Sequence, residues 1–307
     1  MPITRQKKRG GGSTRKHRTN KMVCSPSVDG MKIKNSCYTP KILITIRDAY
    51  NKDHDAEDRI HESDPEKLWV ILNSRFVQCK KEDCWLNAIK DERLRKRIDR
   101  YIFAPDKPYA WRKNPNEWLS NYDIMNVLEQ YEERYKNFEF IGPTPIDFDK
   151  AANGSCVYNE LCGFNLQEQV KKGKTKIAVV FNLSPHTSSG SHWVSMFIDT
   201  KERVIFFFDS AGATAPKEVK ALIDRIQEQA EKHGGKEYEV HENHPHEHQF
   251  GNTECGIYSL FFIITMLTGK TELRKGRLSM KDKISLFKQD TIKDKYIEKY
   301  RNVYFND

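Results

Sequence analysis

The chain has 307 residues, 37% hydrophobic and 31% charged, an ordinary soluble composition with enough length for one catalytic-sized domain and a smaller appended region. No apolar run reaches the roughly 20 residues of a membrane span, and the opening MPITRQKKRGGG lacks the apolar stretch of a secretory signal. The net charge is +9, and residues 1–21 carry eight Lys or Arg and no acidic residue, so the body of the chain is close to neutral.

Residues 1–36 are basic, Gly/Ser-rich and without apolar periodicity, which predicts a disordered tail. Arg5, Lys7, Lys8, Arg9, Arg15, Lys16, Arg18 and Lys21 make it a candidate for nucleic-acid attachment or nuclear targeting. A plain solvated terminus is the alternative. Residues 37–107 read as a helical arm. KILITIRDAY and PEKLWVILNSRF are candidate helices, the second opened by Pro65, and Trp85 to Phe103 is a third, interrupted by charges. APDKPYAWRKNPNEW, with three prolines, reads as a linker or docking loop, and a catalytic domain is expected over 108–307.

Ser120 and Asp123 resemble a capping box, and Ile124, Val127, Leu128, Tyr131 and Tyr135 follow at helical spacing. KIAVVFNL, HWVSMFID and RVIFFFD are short and rich in β-branched or aromatic residues, so they read as strands, the last two joined as a hairpin. A helix is expected from Pro216 to His233, stopped by Gly234-Gly235, and then a strand at YEVHE. CGIYSLFFIITML is apolar on every side, as a buried helix is. TIKDKYIEKYRNVYF closes the chain as an amphipathic helix. The expected class is α+β, with a short, mostly antiparallel sheet flanked by helices.

Cys255 lies between the polar loop GNTE and the start of the buried helix. A sulfur there faces the positive end of a helix dipole and free backbone N–H groups, which favour a thiolate. A nucleophile needs a base, and the base an orienting group. His192 begins one strand of the hairpin and Asp209 ends the other, so antiparallel pairing sets them side by side although they are 17 positions apart. Gln249, shortly before Cys255, is a candidate oxyanion donor together with the Cys255 N–H. Taken singly, each residue has an ordinary structural explanation; the hairpin geometry favours a triad.

His192-Trp193, Asp209-Ser210 with Gly212, Gln249 and Cys255-Gly256, in that order, resemble the SUMO-protease family of papain-like cysteine peptidases, and more distantly the adenovirus maturation protease. Trp118-Leu119-Ser120 resembles the motif at the start of that family's first catalytic-domain helix. The resemblance covers about residues 117–268. The flanking regions look closer to thiol proteases of large DNA viruses, of the African swine fever virus and mimivirus type. Asp209 stands where some such viral enzymes carry Asn.

This resemblance implies a cysteine endopeptidase acting on proteins with Gly-Gly-X sites. It implies work on viral polyproteins in the virion and the viral factory of the host cytoplasm, without cofactor or membrane. Trp193 and Trp118 would then wall a channel that passes only residues lacking side chains. Removal of SUMO-like modifiers from host proteins, protein acetylation by the same triad, and a virion protein with a residual triad are the competing functions. Gly10, Gly11 and Gly12 form a candidate self-cleavage site, and Gly234-Gly235 a weaker one.

HENHPHEH reads as an exposed loop rather than a metal site, and the pairs Cys79/Cys84 and Cys156/Cys162 lack zinc-ligand spacing, so no metal is expected. Seven cysteines, an odd number without a dense framework, suit a reducing compartment in which cysteine stays a free thiol.

Overall fold

The computed structural model describes residues 21–152, 154–232 and 236–307. The basic cluster before Lys21, the glycines at 10–12 and the Gly234-Gly235 pair lie outside the described residues. The chain divides into two compact units, one including 30–99 and the other 23–29 with 100–307. Residues 23–29 do not behave as their polar composition predicts. Cys24 bridges to Phe103, Pro26–Val28 forms a 3-10 turn, and Val23 exchanges hydrogen bonds with the Asn306 side chain at 2.7 and 3.0 Å. Their order comes from these long-range partners, which local composition does not show.

In the first unit, helix α1 spans Pro40–Lys52 with Thr39 as N-cap, and α2 spans Pro65–Arg75 with Asp64 as N-cap and Pro65 in the first turn. A 3-10 stretch, Glu82–Ala88, buries Trp85 against Tyr38 and Phe76. Glu82 is buried as well; desolvation raises its pKa, while the Trp69 indole N–H at 2.6 Å supports the carboxylate. Helix α3, Glu92–Ile102, contains the division between the units.

In the second unit, α4 spans Asn121–Arg134, and its capping box joins Ser120 and Asp123 as expected. Then come β1 (Phe138–Pro145), β2 (Ala151–Ala152), β3 (Ser155–Cys156), α5 (Asn159–Cys162) and α6 (Leu166–Lys171). Strands β4 (Lys176–Asn182), β5 (Trp193–Asp199) and β6 (Val204–Phe208) follow, then α7 (Lys217–Lys232) and β7 (Glu239–Glu242). The chain ends with α8 (Cys255–Thr268), α9 (Met280–Gln289), α10 (Asp294–Ile297) and α11 (Arg301–Tyr304). The expected single C-terminal helix is thus three short pieces, with a 3-10 turn at Glu298–Tyr300 between α10 and α11.

The main sheet has the order β1-β4-β5-β6-β7, antiparallel in its centre and parallel at both edges. The fold is α+β. Alternate residues of the central strands enter different cores. Ala178, Val180, Phe197, Phe206 and Phe208 pack with α4, α8 and α9, whereas Ile177, Val179, Met196, Ile205 and Phe207 pack with α6 and α7. Helices therefore cover both faces, which is why every residue of β5 and β6 is buried and no polar alternation marks them. All fourteen residues of α8 are buried too, and Gly269 ends it with φ 67°, a left-handed C-cap that suits glycine.

Cys79 is bonded to Cys84 and Cys156 to Cys162, in contrast to the free thiols expected from the cysteine count. Their Cα separations of 5.6 and 6.3 Å are within bridging range. Cys255 is free and buried. Among the described residues no helix is long and apolar enough to cross a membrane.

Candidate active site

Position 192 is set by the loop before it. Asn182, ending β4, accepts from the backbone N–H of Ser184 at 3.0 Å and of Ser191 at 3.1 Å, folding the loop back on itself. Gly190, at φ 96°, permits this, since a Cβ there would stand 2.9 Å from the Asn182 side chain. His192 then leads directly into β5, and Asp209 follows directly from β6. Antiparallel pairing of Ser195 with Phe208 brings the two together, and His192 Nε2 donates to Asp209 Oδ1 at 2.6 Å.

Asp209 is nearly inaccessible, with a side chain 3% exposed. Its Oδ1 also accepts the Ala211 N–H at 2.9 Å. Asn243 grips the same backbone from both sides, accepting the Asp209 N–H at 2.9 Å and donating to the Asp209 carbonyl at 2.7 Å. The carboxylate therefore has fixed partners and a fixed direction. Burial lowers the His192 pKa, but the hydrogen bond it donates to Asp209 and the contact with Cys255 outweigh it and push the imidazole up to about 10. His192 is an imidazolium at neutral pH, held between a carboxylate and a sulfur.

Cys255 is the first residue of α8 and 2% exposed. Glu254, the N-cap, makes no side-chain cap bond, so its carboxylate leaves the first-turn N–H groups of α8 unclaimed by the cap. Gly256 packs closely on Leu119: a Cβ there would come within 3.1 Å of the Leu119 side chain, which would have to shift. The Leu119 carbonyl in turn accepts the Trp193 indole N–H at 3.0 Å. Trp193 is buried, whereas Trp118, beside Leu119 in the chain, keeps 39% of its surface exposed. A cleft of about 330 Å³ adjoins Trp193, lined also by Asn121, Thr144, Asn182 and Gly190.

Gln249 is tied to Asp209 through Ser210. The Ser210 carbonyl accepts the N–H groups of His248 and Gln249 at 2.9 and 2.8 Å, and its hydroxyl donates to Gln249 Oε1 at 2.7 Å. The Gln249 amide nitrogen donates to the Gly251 carbonyl at 3.0 Å, leaving its second N–H for another acceptor. The HENHPHEH segment is exposed at His244, Pro245 and Glu247, as its charges predict, but it begins in β7 and ends on a buried histidine. His248 is fully buried, and desolvation lowers its pKa to about 4. Its neutral ring donates from Nε2 to the Phe287 carbonyl at 2.9 Å and accepts the Ile292 N–H at Nδ1 at 3.2 Å. His244 faces the Gly212 carbonyl at 2.8 Å, and no metal-ligating cluster occurs among the described residues.

An imidazolium touching a cysteine at a helix N-terminus, with a buried carboxylate behind it, is the arrangement nucleophilic acyl transfer requires. Residues 163–301, which include His192, Asp209, Gln249 and Cys255, match the model of the Ulp1 protease family, C-terminal catalytic domain. Residues 163–301 form a cysteine peptidase domain of the Ulp1 type. Residues 88–224 of the peptidase also match the Vaccinia virus I7 processing peptidase family.

Among curated proteins, the peptidase is 28% identical over 266 residues to a chain of Acanthamoeba polyphaga mimivirus named as a thiol protease, covering 81% of this chain and 85% of that one. It is 30% identical over 162 residues to the SUMO-1 cysteine protease of African swine fever virus, covering 49% of this chain and 58% of the relative. A crystal structure of the African swine fever virus protease shares the fold at a TM-score of 0.62 and 21% identity, over 95% of this chain and 98% of that one. Both relatives belong to large DNA viruses.

Asn243, Arg301, Glu254 and Asp294, and the role of Ser210, carry no local signal in the sequence. Asp294 Oδ2 accepts the N–H groups of Phe250 and Gly251 at 3.0 and 2.9 Å, and so anchors the loop between Gln249 and Cys255. No motif at these positions would have revealed them, because each acts across a long stretch of chain.

Proposed function

We propose that the peptidase cuts protein precursors of a large DNA virus after Gly-Gly during particle assembly, in the virion and the viral factory. Cys255 attacks the carbonyl carbon of the second glycine. His192 gives its proton to the departing amine, leaving an acyl-enzyme. Neutral His192 then takes a proton from water, whose oxygen attacks the acyl carbon and frees Cys255. Asp209 fixes the ring by occupying Nε2, which turns Nδ1 towards the sulfur. Gln249 and the Cys255 N–H receive the negative charge on the carbonyl oxygen.

The observation that carries the Gly-Gly reading is the Trp193–Leu119 hydrogen bond at 3.0 Å, together with the packing of Leu119 on Gly256. This contact ties Trp193 to the segment that carries Trp118, and it supports the reading that the two indoles narrow the approach to Cys255. The test is peptide mass spectrometry of a candidate precursor incubated with the wild type and with Cys255→Ala. New termini ending in Gly-Gly, made only by the wild type, support the reading. Cleavage at unrelated sequences, or none after Gly-Gly, contradicts it.

A further inference from the structure

Glu254 and Arg301 form a buried ion pair one residue before the nucleophile. Their side chains are 3% and 7% exposed. Arg301 Nε donates to Glu254 Oε2 at 3.0 Å, and Nη2 donates to Oε1 at 2.8 Å, a two-point fork. The remaining donors go to backbone. Nη1 reaches the Glu117 carbonyl at 2.9 Å, and Nη2 reaches those of Thr253 at 3.2 Å and Asn116 at 3.4 Å. The guanidinium lies over the Trp111 ring at 4.3 Å, and the Trp111 indole N–H donates to the same Glu117 carbonyl at 2.8 Å.

One planar group thus holds two separate stretches of chain. The first, 116–117, leads into Trp118 and Leu119. The second, 253–254, leads into Cys255. Beyond the guanidinium the two stretches meet again, where Leu119 packs against Gly256. The loop is closed at both ends, so the offset between the sulfur and the Trp118–Leu119 segment is over-determined.

We propose that Arg301 is a positioning residue, which sets Cys255 in register with the substrate channel through Glu254 and the carbonyls of 116–117. Arginine is needed rather than a generic cation. A lysine ammonium has charge for Glu254 but no rigid fork to span both segments. Misplacing the sulfur by about 1 Å costs on the order of 10²-fold in the chemical step. This inference rests on Cys255 being the nucleophile and Trp118–Leu119 lining the channel, as argued above.

The experiment compares the wild type, Arg301→Lys and the double variant Arg301→Met with Glu254→Leu. The double variant replaces the ion pair by apolar groups, a change that often preserves stability. Four quantities are read on each protein: melting temperature, the rate of Cys255 alkylation by iodoacetamide, and, on a mixed peptide pool of varied total concentration, kcat per titrated active site and the apparent KM. Because the pool contains many bonds, the turnover ratio is obtained whichever bonds are cut. A failure of the Gly-Gly reading shows separately, in the identity of the new termini. The expected result is kcat about 10²-fold lower in both variants, with KM and alkylation near wild type. The double variant should regain melting temperature without regaining kcat. Wild-type turnover per active site in either variant, or kcat recovering in step with melting temperature, would overturn the proposal.

Discussion

His192 Nε2 donates to Asp209 Oδ1 at 2.6 Å, across a hairpin whose turn is at the opposite end of both strands. The pair is therefore built by strand register. A one-residue slip of β6 against β5 would turn Asp209 away from the histidine. The contact reverses the effect of burial on His192 and keeps its ring charged up to about pH 10.

Activity should extend far into the alkaline range. The pH profile of kcat/KM should fall on its alkaline side near the His192 value of about 10, well above the ordinary 6.5. Stability should follow the same group. The folded ring holds its proton more tightly than the unfolded one, so this contribution is complete below pH 6.5 and fades as pH rises towards 10. Thermal unfolding of the wild type and Asp209→Asn across that range measures the difference, which should shrink as pH rises.

Removing the base should cost more than altering its orienter. His192→Ala should lower kcat/KM by roughly 10²–10⁴-fold. Asp209→Asn should lose less, because an amide oxygen still accepts from Nε2, but its alkaline limb should move down. Steady-state kinetics of both variants provide the comparison. An equal loss from alanine at exposed His61 would argue against the triad.

Gln249→Ala should reduce kcat by about 10²–10³-fold with little change in KM, the effect of losing one oxyanion donor. Ser210→Ala should reproduce part of that loss, since the hydroxyl holds Gln249 Oε1 at 2.7 Å. A defect mainly in KM would remove Gln249 from the oxyanion site.

The two tryptophans should separate. Trp193 is buried in the core, and Trp193→Ala should destabilise the fold by about 3–5 kcal/mol. Trp118 is 39% exposed, and Trp118→Ala should leave melting near wild type while admitting alanine in place of a glycine before the scissile bond. Cleavage rates on paired Gly-Gly and Gly-Ala peptides measure the change.

The central strands and α8 were legible because burial on both faces leaves continuous apolar runs in the sequence. The His192–Asp209 pair was legible because its hairpin is local. β1 was not expected, since Gly142, Pro143 and Pro145 argue against a strand; they are tolerated because β1 is an edge strand paired only with β4. Helix α9 was missed although Ser279 and Asp282 form a capping box, because the lysine-rich pattern after them is only weakly apolar. The burial of His248 depends on Phe287 and Ile292, about 40 positions away. Glu254 and Arg301 are 47 apart. Such partners have no spacing that a local pattern can reveal.

The most direct test is hydrolysis of a Gly-Gly-X peptide by wild type and Cys255→Ala, with circular dichroism confirming that both are folded. The expected result is cleavage after the second glycine by the wild type and none by the variant, at matched melting temperature. Residual turnover in a clean Cys255→Ala preparation would contradict it.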